Sequence, residues 1–283
     1  MMPVLDVSDL VGASFVPSDG QANPGDIAQA LAKGARRNGC KIFEGVRVTG
    51  VAFEGDRAHT VDTTSGAIAC ETLVICAGLW SRQLGAMAGV NVALQPIKHQ
   101  YVVTEALPGL ATDAPTVRDP DRRTYFKEEV GGLVFGGYEP NPIPWDENPI
   151  PRPFEFQLFD DDWEHFEQHM ENALVRVPAL AEVGIKQMIN GPESFTPDGN
   201  FILGRAPERD NVYVGAGFNA FGIASAGGAG WALAQWIADG APPLDLASVD
   251  IRRFSSADRD TSHVRDATLK AYAEHYSLAP TVR

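Results

Sequence analysis

The segment "DGQANPGDIAQALAKGARRNGC" sets apolar residues four positions apart, at Ile27, Leu31 and Ala35, and so predicts a helix of about four turns. Asn23 is placed to cap it and Pro24 suits the first helical position. Asp26 stands where a first-turn acid reaches back, and Asn38-Gly39 is a stop signal. The period then changes. "KIFEGVRVTGVAFEG" and "RAHTVDTTSGAIACE" carry short apolar runs between glycine turns and read as strands. "TLVICAG" has an unbroken apolar run, which predicts a fully buried strand; "LWSRQLGAMAG" after it reads as a tight turn and a short helix.

From Val92 to about Asn190 the texture is different. "VALQPIKHQYVVTEAL", "RRTYFKEEV" and "GGLVFGGYEP" are β-rich and separated by proline and aspartate clusters. "DDDWEHFEQHMENALVRVPAL" puts Trp163, Phe166, Met170 and Leu174 on one helical stripe. After Asn190 the chain returns to strand, glycine turn and helix. The expected fold class is therefore α/β (α+β). One discontinuous domain, residues 1–91 and 191–250, is interrupted by a mainly antiparallel domain over 92–190, and 251–283 forms a closing linker and helix.

Within the returning half, "NVYVGAGFNAFGIASAGGAG" concentrates Gly215, Gly217, Gly222, Gly227, Gly228 and Gly230. An interior helical glycine costs roughly 1 kcal/mol relative to alanine, so these positions call for another gain. At the turn, Gly215, Gly217 and Gly222 suit close approach of backbone to a flat or anionic ligand, with the helix N-terminus aimed at it. Gly227, Gly228 and Gly230 suit tight packing of helix on sheet.

Composition narrows the function. With 23 basic and 37 acidic residues the net charge is −14, which disfavours a nucleic-acid surface or a polybasic membrane patch. Cys40, Cys70 and Cys76 are odd in number and lack CxxC spacing, so they read as small buried apolar residues. The N-terminal segment has no leader-like pattern and no run of about 18 apolar residues occurs; the expectation is a cytoplasmic chain without a membrane partner. "EHFEQH" sets His165 and His169 one turn apart near Glu164 and Glu167, but the spacing is not HExxH. It reads as a solvated helix face, and no metal is assigned.

Four segments carry a resemblance: "TLVICAGLWSRQLGAMAGV", "LQPIKHQYVVTE", "GPESFTPDGNFILGRAPERDNVYVGAGFNAFGIASAGGAGWALAQWIADG" and "LDLASVDIRRF". Together they resemble the flavoprotein half of the dimethylglycine and sarcosine dehydrogenase family, within the glycine-oxidase-like flavin oxidoreductases. The resemblance implies FAD as cofactor, a partial Rossmann-like FAD domain with an inserted antiparallel-sheet substrate domain, and oxidation of the N-methyl group of a small amino acid. Another glycine-oxidase-like amino-acid oxidase or dehydrogenase, and a non-catalytic regulatory relative, are alternative readings. The family's opening GxGxxG unit and its folate-binding half have no counterpart here, so the chain is expected to be part of a longer polypeptide and inactive alone.

Position by position, the resemblance implies that Val46 and Val48 meet the adenine and that Ala77, Gly78 and Trp80 turn over the phosphates and ribose. It also implies that Gly204, Phe218, Asn219, Gly222 and Ile223 line the isoalloxazine. His99 matches an active-site histidine and Tyr125 a tyrosine closing the same pocket. Lys98 and Lys127 are either carboxylate partners or exposed strand lysines. Implied partners of the longer protein are the amino-acid substrate, tetrahydrofolate and an electron-transfer flavoprotein.

Overall fold

The structure is a computed structural model and describes residues 2–152 and 154–276. The chain opens with a long irregular stretch and α1 (Pro24–Arg37), where the Asn23 side chain accepts from the Asp26 N–H and Pro24 takes the first turn. β1 (Val48–Glu54), β2 (Arg57–Thr63) and β3 (Gly66–Ala69) form an antiparallel three-stranded sheet. β4 (Leu73–Ile75) is followed by a 3-10 turn over Gly78–Trp80 and by α2 (Ser81–Met87).

The inserted unit is an antiparallel sheet of five strands in the order β6-β7-β8-β5-β9. Its members are β5 (Gln95–Ala106), β6 (Val117–Asp119), β7 (Thr124–Glu129), β8 (Gly132–Gly137) and β9 (Ile185–Phe195). Alternation of side chains along these strands divides the residues between two faces. Val102, Phe126 and Phe135 point to one face, where α3 (Trp163–Arg176) covers them with Phe166 and Ala173. Ile97, Tyr138 and Phe195 point to the other, where α5 (Thr261–Ala273) lays down Tyr272.

The chain then completes the first unit with β10 (Ile202–Arg205), β11 (Val212–Ala216) and α4 (Gly222–Asp239). β11 pairs antiparallel with β10 and parallel with β4. Leu203, Tyr213, Leu233 and Trp236 fill the space between α4 and this sheet. The result is the mixed helix-and-sheet architecture expected from the pattern.

Two expectations about burial fail. β4 is an edge strand and Val74 is 40% exposed, because an unbroken apolar run reports hydrophobicity and not whether both faces are covered. Cys40 and Cys76 are exposed and Cys70 is half-buried. The glycine assignments also reverse. A Cβ at Gly227, Gly228 or Gly230 would meet nothing within 4 Å, whereas one at Gly217 would lie 2.5 Å from Leu94 and one at Gly204 2.6 Å from the Trp236 ring. Gly204 inside β10 and Gly217 at the turn are the ones that serve packing.

Candidate active site

His99 sits in β5 on the face covered by α5, among Tyr138, Phe195 and Tyr272, with ring centroids 5.1 Å from Tyr138 and 6.0 Å from Tyr272. Burial pushes its basicity down to about 4, opposed by the nearby charge of Glu139. Its Nδ1 lies 2.8 Å from the Tyr272 hydroxyl. Its Nε2 has no hydrogen-bond partner among the described residues and is not sealed from solvent. A neutral imidazole presented in this way is a proton acceptor.

Tyr125 shares that face. It pairs with Gly136 of β8, which pairs in turn with Tyr101 of β5, two positions along from His99. The Tyr125 ring reaches across β8 because position 136 has no side chain: a Cβ there would lie 2.7 Å from the Tyr125 hydroxyl and 2.8 Å from the Gln100 carbonyl. Burial raises the Tyr125 pKa, so the hydroxyl stays protonated and able to donate. Gly136 is a site residue that the sequence reading missed; its signal is the pair of glycines in "VFGGYEP", in a strand that otherwise reads as core.

Behind His99 lies a polar cluster that the sequence did not reveal. Glu139, just beyond β8, accepts from the Tyr272 hydroxyl at 2.8 Å and lies 3.1 Å from His165 Nε2 and 3.2 Å from His169 Nε2. The solvated reading of "EHFEQH" is therefore wrong: the side chains of His165 and His169 are 10% and 3% exposed. Their helix turns this pair inward because a buried carboxylate needs donors. Burial works against ionisation of Glu139, but the hydrogen bonds from His165 and His169 outweigh it and hold the carboxyl well below the ordinary range. The same contact raises the His165 pKa. All four of these residues come from segments that follow His99 by 40 or more positions, so no local motif announces them.

A second feature adjoins this face. β4 and β11 run parallel as neighbours, so the turns that follow them, with Ala77 and Gly78 after one and Phe218 to Phe221 after the other, emerge at the same end of the sheet. α4 starts there with no side-chain cap, and only the Phe218 Cβ, at 3.9 Å, lies within 4 Å of a Cβ position at Gly222. Ile223 beside it is half exposed. Free N–H groups and the positive end of a helix favour an anionic or electron-accepting group. Aromatic contacts join this corner to His99: Phe221 lies 5.2 Å from His275, and His275 lies 4.2 Å from Tyr138.

The remaining expected residues distribute unevenly. Gly78 is exposed, with φ +51° and open space at its Cβ position, and Trp80 closes the short turn after it, half-buried. Phe218 stacks on Phe201 at 4.9 Å. Asn219 is buried and its amide is engaged by Thr196 and the Gly217 carbonyl, so it holds the turn together. Gly204 is occupied by the Trp236 contact described above. Val46 and Val48, half-buried, stand at the entry to β1 in the other sheet. Lys98 points away from His99, over the Phe159 ring at 5.3 Å, and Lys127 pairs with Glu129 at 2.7 Å. Among the described residues no cluster of three or more His, Cys, Asp or Glu could hold a metal, and no helix is long and apolar enough to cross a membrane.

Comparison with known proteins identifies the family. Residues 1–236 match the family model described as FAD dependent oxidoreductase, and residues 239–280 match one described as FAD dependent oxidoreductase central domain. Mitochondrial sarcosine dehydrogenase of Mus musculus is 41% identical over 98% of this chain and 31% of its own length. The mitochondrial pyruvate dehydrogenase phosphatase regulatory subunit of Mus musculus is 35% identical over 98% of this chain and 32% of its own. The chain thus spans about a third of the length of these curated relatives. Among solved structures, L-proline dehydrogenase from P. horikoshii superimposes with a TM-score of 0.77 at 28% identity, over 89% of this chain and 65% of that one. The uncapped helix start, the open glycine turn beside it and the match over most of the sequence converge: the chain belongs to the FAD-dependent oxidoreductase family, whose cofactor is FAD.

Proposed function

We propose that this chain forms the substrate-facing part of an FAD-dependent enzyme that oxidises the N-methyl group of a small amino acid, with sarcosine and dimethylglycine as the leading substrates. The carrying observation is the pairing, on one sheet face, of a neutral His99 whose Nε2 is free with a protonated Tyr125 hydroxyl, beside the uncapped start of α4.

When bound, FAD would supply the acceptor for the hydride, and with it the two electrons, that leaves the methyl carbon. The N–H groups at Gly222 and Ile223 favour negative charge at that end of the cofactor. His99 Nε2 takes the ammonium proton of the substrate, freeing the nitrogen lone pair that the forming iminium needs. The Tyr125 hydroxyl donates to the substrate and fixes its position against His99. The aromatic wall of Tyr138, Phe195 and Tyr272 packs around the His99 ring and leaves Nε2 open.

In the whole protein, the iminium carbon passes to water or to tetrahydrofolate, and the electrons to O2 or an electron-transfer flavoprotein. The test is anaerobic mixing of the FAD-loaded protein with sarcosine or dimethylglycine, followed at the flavin absorption band. Bleaching is the expected result. Persistence of the oxidised spectrum with every N-methyl amino acid tried removes the substrate assignment.

A further inference from the structure

We propose that Glu139, acting through Tyr272, is a positioning residue that locks His99 as its Nδ1–H tautomer and offsets the positive charge formed when Nε2 takes a proton.

The argument is a donor count. Glu139 is ionised and can only accept, so the Tyr272 hydroxyl, 2.8 Å from Oε2, gives its single proton to the carboxylate. Burial raises the Tyr272 pKa, which keeps that proton in place. The hydroxyl oxygen then has lone pairs to offer and no hydrogen, so the 2.8 Å contact with His99 must run from Nδ1–H to oxygen. A neutral imidazole has one N–H. Placing it on Nδ1 makes Nε2, the nitrogen without a protein partner, the base.

His165 and His169 complete the arrangement by donating to Glu139 through their Nε2 atoms. His169 Nδ1 is buried without a partner, so Nε2 carries the ring's contact with the carboxylate. The carboxylate also crosses the end of the sheet. Its histidines come from α3 on one face, while Tyr272 comes from α5 on the other.

The other titratable groups around His99 are accounted for. Tyr138 faces it from the end of β8, and burial keeps that tyrosine protonated. His275 and Tyr276 face Tyr138 from the end of α5. Arg118 stands over the Tyr276 ring at 5.8 Å, and burial first, with Arg118 second, lowers the His275 pKa. Glu193 of β9 is itself pushed toward its neutral form by burial. Glu139 is thus the ionised carboxylate aligned with His99 through a hydrogen bond.

The catalytic half of this proposal rests on His99 being the base; the tautomer half does not. The imidazole nitrogens of the chain are followed by nitrogen-15 NMR near neutral pH, without substrate, in the parent, Tyr272→Phe and Glu139→Gln. The expected parent spectrum shows His99 protonated at Nδ1 alone, and Tyr272→Phe shifts the population toward Nε2–H. An Nε2–H tautomer in the parent, or an unchanged tautomer in Tyr272→Phe, overturns the proposal. If Glu139→Gln fails to fold, Tyr272→Phe decides alone, since it keeps both histidine bonds to Glu139.

In the FAD-loaded protein, Tyr272→Phe is then expected to slow amine-driven flavin reduction by roughly ten- to a hundredfold and to move its pH profile, with FAD still bound. A profile identical to the parent overturns the catalytic half. A parent protein that shows the Nδ1–H tautomer but reduces no flavin with any amine defeats the proposed function and leaves the tautomer assignment standing.

Discussion

At the residue scale, the site depends on one absent side chain. Gly136→Ala would set a methyl group 2.7 Å from the Tyr125 hydroxyl and 2.8 Å from a backbone carbonyl, so the ring must swing off β8. The expected outcome is a folded protein in which amine-driven flavin reduction falls by about tenfold or more, since one misplaced substrate-positioning group has effects of this order. Reduction rates equal to the parent would show that Tyr125 does not touch substrate. His99 gives a second prediction. A folded-state pKa lowered from 6.5 to about 4 means that the unfolded chain binds a proton that the folded protein refuses between those values. Stability is therefore complete above about 6.5 and is lost as pH falls toward 4, by roughly 3 kcal/mol for a fully shielded ring. His275, also lowered to about 4 by burial with Arg118 adding to it, acts in the same direction. The raised pKa of His165 works oppositely, its contribution fading as pH rises above 6.5. Melting temperatures across pH 4 to 7 check the sign: the acid-side fall should flatten in His99→Phe. His99 and Tyr125 were singled out by their likeness to residues of a family, and the structure sets them on one sheet face. Glu139, Tyr272 and Gly136 were not, because a buried carboxylate, a tyrosine 173 positions from its histidine and a glycine in a strand carry no local pattern.

At the element scale, the caps and stripes were readable. Asn23, Pro24 and the α4 boundary at Gly222 follow from short-range rules, and the structure bears them out. What was not readable is what each element packs against. The stripe of α3 was read from Trp163, Phe166, Met170 and Leu174, yet Trp163 lies 46% exposed while His169 and Arg176 turn inward. Arg176 is a buried cation held at 2.8 Å by both Asp9 and Asp119, and it donates as well to the Asp6 carbonyl. It fastens the irregular N-terminal stretch to the five-stranded sheet. Asp119→Ala removes its buried partner and leaves a charge only partly compensated, which typically costs about 3–5 kcal/mol. Urea unfolding of the variant should show a midpoint lowered by that loss divided by the m-value, and an unchanged midpoint would mean that Asp9 alone suffices.

For the whole molecule, charge and apolar exposure pull in opposite directions. A net charge of −14 keeps copies apart, while Ile223 and Trp231 on α4, Val74 on β4 and Leu31 on α1 stand 40% or more exposed. The interior of β11, by contrast, is buried throughout. Association should therefore begin at the β4 and α4 side and increase as salt screens the repulsion. Trp231→Lys is expected to lower the associated fraction in sedimentation or light scattering at high salt without altering the circular dichroism spectrum; equal association in the variant would place the sticky surface elsewhere.

The parallel pairing of β4 with β11 has a consequence for how the protein is made. Val74 pairs with Tyr213, so 138 residues separate two strands that are immediate neighbours in the sheet. Contacts so distant in sequence close late, since the intervening loop must first be ordered. As the ribosome extends the chain, β4 emerges long before its partner exists, while the five-stranded insert between them can already complete β5 through β9. The face that carries His99 and Tyr125 is thus assembled before the corner at the start of α4, and α5, which supplies Tyr272, follows that corner. A nascent chain stalled before Thr261 would carry His99 in its strand but lack the Tyr272 hydroxyl beside it, so the contact at Nδ1 forms only after α4 has been made.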